Sequence, residues 1–148
     1  MSALLSQAEE NYLKAIYKIS LQDGTPVSNN AISVEMSTSA ASVTDMINRL
    51  SQKDLVHYQK RKGVSLTTKG MATAIHLVRK HRLWETFLVE KLNFTWDEVH
   101  DLAEQLEHIQ SRELINRLEE FLDFPKYDPH GDPIPDRNGE ITERQQVL

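Results

Sequence analysis

Apolar residues recur at helical spacing along most of this chain. Leu13, Ile16, Tyr17 and Ile19 follow Ser6-Gln7-Ala8-Glu9, a capping box whose hydroxyl and carboxylate satisfy backbone amides at a helix start. Gly24-Thr25-Pro26 ends that helix. Ser28 opens a short second one with Ala31, Ile32 and Met36. Ser37-Thr38-Ser39 interrupts the pattern, and Ser39 opens a third in which Val43, Met46, Ile47 and Leu50 fall at i, i+3, i+4 and i+7. A leading helix, a short helix, a turn and an amphipathic helix give the helix-turn-helix order. The period then changes from helical to alternating. Residues 55–60 and 64–67 read as strands around Arg61-Lys62-Gly63, a hairpin of the kind called a wing.

Helical spacing resumes after Thr68, which can cap a long helix through Ile75, Val78, Trp84, Phe87, Leu88 and Leu92. Asn93-Phe94-Thr95 is a short turn, and Thr95-Trp96-Asp97-Glu98 is a second capping box. The helix it starts has Val99, Leu102, Ala103, Leu106 and Ile109 on one face. Ser111 begins the last helix, with the stripe Leu114, Ile115, Leu118, Phe121 and Leu122, and Phe124-Pro125 stops it. The expected fold is mainly α: a winged helix-turn-helix with a short β-hairpin over residues 1–72, then an all-helical domain over 73–125. Residues 126–148, rich in Pro, Gly and Asp at their start, read as an extended arm or linker. Part of the last stripe can close the monomer core. A helical half this small is expected to share the rest with a second subunit, through Leu114, Leu118 and Phe121.

Charge sharpens this division. The chain of 148 residues carries a net charge of -5, yet residues 1–82 hold 11 Lys and Arg against 6 Asp and Glu, and residues 83–148 hold 6 against 16. A basic half on an acidic half suggests two jobs. The basic wing tip, Lys60, Arg61 and Lys62, suits phosphate contact once it follows a helix-turn-helix. There is no Cys, which excludes disulfides, thiolate metal sites and cysteine nucleophiles and fits a cytoplasmic protein. No apolar run approaches a membrane span, and no signal-peptide pattern opens the chain.

Imidazoles and carboxylates cluster in the acidic half. On a helix continued through His108, the residues His100, Glu104, Glu107 and His108 occupy one arc of about 100°. No Lys or Arg stands among them. His81 and Glu85, spaced i, i+4 on the preceding helix, form a second pair. The stretch reads either as a solvated acidic face or as a metal site; with both helices taken together, the metal site is the better reading. Imidazole with carboxylate suits manganese, iron and zinc.

These residues carry a resemblance. The run Glu9-Glu10-Asn11-Tyr12-Leu13, the motif Arg79-Lys80-His81-Arg82-Leu83, then Val99-His100, Glu107-His108 and Gly131-Asp132-Pro133-Ile134-Pro135 resemble the diphtheria toxin repressor and manganese transport regulator family. The resemblance spans residues 6–135. It implies a DNA-binding winged helix, a helical dimerisation domain, two neighbouring metal positions and repression of metal-uptake genes when metal is bound. It places metal ligands at Asn11, His81, Glu85, His100, Glu104, Glu107 and His108. Iron-responsive members have Cys where Glu104 stands and Met where Asn11 stands, so Glu104 is manganese-like and Asn11 intermediate. Lys14 occupies a position that is a second carboxylate in many manganese regulators. Longer members carry a further SH3-like domain.

Resemblance and helical geometry together assign DNA contacts to Ser39, Ala41, Ser42, Thr44, Asp45 and Arg49. Small residues permit close approach to base edges, and the Ala41 methyl can touch thymine. Ser42, Thr44 and Arg49 can hold phosphates; Asp45 either accepts from cytosine N4 or is solvated. The expected partners are a pseudo-palindromic double-stranded operator and a second copy of the chain. The expected effector is Mn²⁺, alternatively Fe²⁺, with Zn²⁺ able to occupy the site. A metallohydrolase is the weaker reading: neither His-Glu-x-x-His nor its reverse is present. A winged-helix regulator of another ligand, with a structural metal site, is the alternative.

Overall fold

Ser6 begins the first helix as its sequence requires. Its hydroxyl accepts from the Glu9 amide and the Glu9 carboxylate accepts from the Ser6 amide, so both halves of the capping box form at the head of α1, Gln7–Asp23. The structure, a computed structural model, describes residues 5–141; the outermost residues of the expected first domain and arm, 1–4 and 142–148, lie outside the described residues. Ser28 caps α2, Asn29–Met36, and Ser39 caps α3, Ala40–Gln52, each through its hydroxyl. The hairpin is β1, Val56–Gln59, antiparallel to β2, Gly63–Leu66, with Val56 opposite Leu66 and Gln59 opposite Gly63. The long helix α4, Thr68–Leu92, takes its cap one residue earlier than the sequence suggests: the Thr67 hydroxyl accepts from the Gly70 amide. Then come α5, Val99–Leu106, and α6, Arg112–Phe121, capped by Ser111. The chain divides into two compact units within α4, after Ala74.

In the first unit, Leu13 and Ile16 of α1, Ile32 of α2, and Val43, Ile47 and Leu50 of α3 are fully buried with Val64 of the hairpin. The apolar stripe of α3 therefore faces inward and leaves its polar face outside. Lys53, after α3, reaches the buried Glu9 of α1 at 2.6 Å. The hairpin is docked by Val27, which exchanges backbone hydrogen bonds with Val64 at 2.7 and 2.8 Å. Gly63 permits this approach: its φ is +122°, and a Cβ there would stand 2.4 Å from the Val27 carbonyl oxygen.

The second unit holds the rest of α4, with α5, α6 and the chain beyond α6. Leu83 of α4, Ile115 and Leu118 of α6, Leu122 and Ile134 form its core cluster, with Trp84 and Phe87 packed against it. Arg79, almost fully buried, meets Glu119 of α6 at 3.2 Å and donates to Asn116. The Pro- and Gly-rich stretch after α6 makes two tight loops. In each an Asp side chain takes two backbone amides: Asp128 those of His130 and Asp132, and Asp136 those of Asn138 and Glu140. Between the loops, Ile134 is buried in the core cluster.

Candidate metal centre and nucleic-acid interface

One turn of α4 puts His81 and Glu85 on the same face, both buried, with His81 Nε2 3.5 Å from Glu85 Oε2. The His100 ring, from the first turn of α5, lies 5.0 Å from the His81 ring, centre to centre. His100 Nε2 is also 3.1 Å from Glu104, and both side chains are exposed. Helix α5 ends at Leu106, and Glu107, its C-cap, keeps helical φ and ψ of -62° and -18°, donates its amide to the Ala103 carbonyl and is fully buried. Its Oε1 lies 2.6 Å from His81 Nδ1. With a cation at Nε2, the proton that His81 keeps on Nδ1 would donate to Glu107. A metal-bound imidazole commonly has such an outer carboxylate.

Among the described residues, two groups of three bring their ligand atoms within 4.8 Å of one another: His81, Glu85 and His100, and Glu85, Asp128 and His130. Glu85 belongs to both. Glu104, Glu107 and His108 form no such group among the described residues; Glu104 pairs with His100, and Glu107 with His81. Asp128 and His130 are absent from the residues that the sequence singled out. They lie in an aperiodic loop, where helical spacing gives no signal. The readable sign was an Asp and a His two apart beside a Gly, in Asp128-Pro129-His130-Gly131. His130 Nδ1 lies 3.8 Å from Glu85 Oε2, and the Trp96 ring meets the His130 ring edge-on at 5.2 Å.

The donor set suits a divalent cation. Burial pushes the Glu85 carboxyl up, but the His81 hydrogen bond and the charges of His81, His130 and His100 outweigh it and hold Glu85 below its ordinary value. Burial raises Asp128, and the nearby Glu85 and Asp132 raise it further, against the amides of Asp132 and His130 that lower it. Glu85 thus has imidazoles around it where an ordinary buried carboxylate has a Lys or Arg. His76, also on α4, shows the opposite environment: burial, then Lys80, Arg112 and Arg79, push it down to about 4. Cations surround it, so it is no place for another.

On the first unit, the residues expected to read DNA are outward. Ser39, Ala41, Ser42, Asp45 and Arg49 are exposed and Thr44 is half-buried, on the face of α3 opposite Val43, Met46, Ile47 and Leu50. The Ser39 hydroxyl is shared between the Ser42 amide and its hydroxyl, as the helix cap. Lys60, Arg61 and Lys62 are exposed at the hairpin turn, where Arg61 takes a φ of 73°.

Two family models follow one another along the chain: the iron dependent repressor N-terminal DNA binding domain over residues 4–64, and the iron dependent repressor metal binding and dimerisation domain over residues 67–136. The chain belongs to the iron-dependent repressor family. Iron-dependent repressor IdeR of Mycobacterium leprae is 35% identical over 131 residues, 88% of this chain and 56% of that protein. The solved manganese regulator SloR is 44% identical with a TM-score of 0.77, over 93% of this chain and 63% of that one. A manganese-dependent transcriptional repressor solved in complex with manganese is 39% identical with a TM-score of 0.79, over 91% of this chain and 62% of that one. This chain therefore spans little more than half of the curated relative and under two thirds of the solved ones.

In the second unit, His81, Glu85 and His100 bring their ligand atoms together. Asn11 lies on α1 of the first unit, and its place among the ligands rests on the resemblance alone. The candidate dimer anchors separate: Leu118 is part of the monomer core, whereas Leu114 and Phe121 are exposed. No helix among the described residues is long and apolar enough to cross a membrane.

Proposed function

We propose that this chain is a cytoplasmic, metal-dependent transcriptional repressor that binds a pseudo-palindromic operator as a homodimer and controls metal-uptake genes. The observation that carries the reading is the convergence of His81, His100, His130, Glu85 and Asp128 in one unit, on a chain whose other unit has an outward polar helix face and a basic wing tip. His81, Glu85 and His100 hold one cation position, with Asp128 and His130 completing a second group on Glu85. Asn11, Glu104, Glu107 and His108 form the further ligand set implied by the resemblance, and Glu107 also orients the His81 ring. A bound divalent cation would add positive charge beside these converging carboxylates.

Manganese is the proposed effector, with Fe²⁺ second. The donors are imidazole and carboxylate with no sulfur, and their number suits an ion that accepts six or more ligands better than zinc, which prefers four. Zn²⁺ is expected to bind tightly and activate poorly. Recognition comes from α3: the small residues Ser39 and Ala41 at its start permit close approach to base edges, Ser42, Thr44 and Arg49 hold phosphates, and Asp45 either accepts from cytosine N4 or is solvated. Lys60, Arg61 and Lys62 add phosphate contacts.

The test is binding to duplexes selected by the Mn²⁺-loaded protein from a random pool, followed by fluorescence anisotropy across Mn²⁺, Fe²⁺ and Zn²⁺ and with a chelator. The expected result is loss of specific binding on chelation, at least tenfold in affinity, restored by Mn²⁺ first. Affinity indifferent to the chelator overturns the reading.

A further inference from the structure

The loop that brings Asp128 and His130 to Glu85 is fastened from outside the ligand groups. Its ends are joined by the Ile134 amide donating to the Lys126 carbonyl at 2.9 Å and by pairing of Tyr127 with Pro133. Arg82, the residue after His81 on α4, donates to the Pro133 carbonyl. Arg137, beyond the buried Ile134, donates through Nε to Glu119 at 2.7 Å, and through one terminal nitrogen to Glu120 at 3.1 Å and the Asn116 carbonyl at 3.3 Å. Glu119 is buried and also meets Arg79 at 3.2 Å, so Arg137 closes on a carboxylate already fixed in α6. One arginine thus ties the ligand loop to the ligand helix. The other ties the chain just past it to α6.

We propose that Arg82 and Arg137 are positioning residues of the metal centre, holding the loop so that Asp128 and His130 face Glu85 before a cation arrives. The inference rests on the reading above, in which Glu85, Asp128 and His130 hold a cation. Closing the loop sets the Asp128 carboxylate beside the Glu85 carboxylate, an arrangement that repels itself. The contacts of Ile134, Arg82 and Arg137 oppose that repulsion. A loop held in this way loses less freedom on binding, so the cation is bound more tightly. Neither arginine touches the ligand atoms in the two groups; each acts through the backbone it fastens.

The experiment uses the full chain in calorimetric titration with Mn²⁺, beside proteinase K cleavage of residues 126–140 with and without Mn²⁺. Arg137→Gln is expected to weaken one binding event about tenfold, the lower range for loss of an outer partner, and to leave another within twofold. Its loop should be cut faster than that of the natural protein in chelator and regain protection at saturating Mn²⁺. Arg137→Lys, which keeps the charge on Glu119, should recover part of the affinity. Arg82→Gln carries the same expectation and serves if the first variant does not fold. Unchanged Mn²⁺ affinity in both glutamine variants overturns the positioning role, as does an equal weakening of every event with cleavage indifferent to Mn²⁺. Asp128→Asn and His130→Ala separate the two levels of inference. If they bind Mn²⁺ like the natural protein, the second ligand group itself fails, and the positioning role with it.

Discussion

At the scale of single residues, the pair Glu9–Lys53 shows how a buried charge is kept. Burial alone would raise the Glu9 carboxyl, but the hydrogen bond from Lys53, those at Ser6 and the Lys53 charge hold it below its ordinary value. A carboxyl depressed in the folded state contributes stability that is full above its unfolded value, near 4.5, and is lost as pH falls through the lower folded one. Lys53→Met should therefore cost about 1–2 kcal/mol at pH 7. That is less than a fully buried pair costs to break, because Lys53 is one-third exposed. The cost should shrink as pH drops below 4.5 in urea unfolding followed by circular dichroism. A cost that persists unchanged at pH 3 would mean that Lys53 acts through packing instead. Residue spacing made such pairs hard to foresee: Glu9 was legible as a capping residue, but its partner stands 44 positions away.

Helix beginnings were legible in the sequence because a cap is a local event. Ser6, Ser28, Ser39 and Ser111 each do what their spacing announces. Thr95 does so in part: its amide donates to the Glu98 carboxylate, although regular helix starts only at Val99. Helix ends were less legible. Nothing at Leu106 marks a stop, since neither Gly nor Pro follows, and the apolar pattern runs on to Ile109. Glu107 meets His81 on another helix, a tertiary contact that periodicity cannot show. The hairpin was legible from its change of period, apart from Gly63, which belongs to β2 and not to the turn. Its tip yields a prediction for this element. Arg61→Ala and Lys62→Ala should weaken binding on every duplex, and each should flatten the negative slope of log affinity against log salt by about 0.9 if one phosphate contact is lost. Anisotropy at several salt concentrations reads both effects. An unchanged slope in both variants removes the wing from the interface.

For the whole molecule, the open question posed by its surface is what covers α6. Leu114 and Phe121 lie seven positions apart, two helical turns on one face, and Phe121 is 62% exposed with the Lys91 amine 5.3 Å from its ring centre. Leu118, between them, is committed to the core instead. The two outer residues are the anchors expected for a symmetric dimer. Phe121→Asp should convert a dimer to a monomer at micromolar concentration in sedimentation, with little change in helix content. A natural protein that sediments as a monomer with Mn²⁺ present removes the two-fold arrangement. A two-fold protein sets its recognition helices about 34 Å apart, so monomeric Phe121→Asp should also lose preference for half-sites one turn apart.

The two oxygens of Asp128 have different histories to answer to. Oδ1 is engaged by the His130 and Asp132 amides and so writes the shape of the loop. An asparagine has the same acceptor in the same place. A single change of residue can therefore remove one negative charge from beside Glu85 while the loop keeps its form. Form and charge, written by one side chain, can be changed apart.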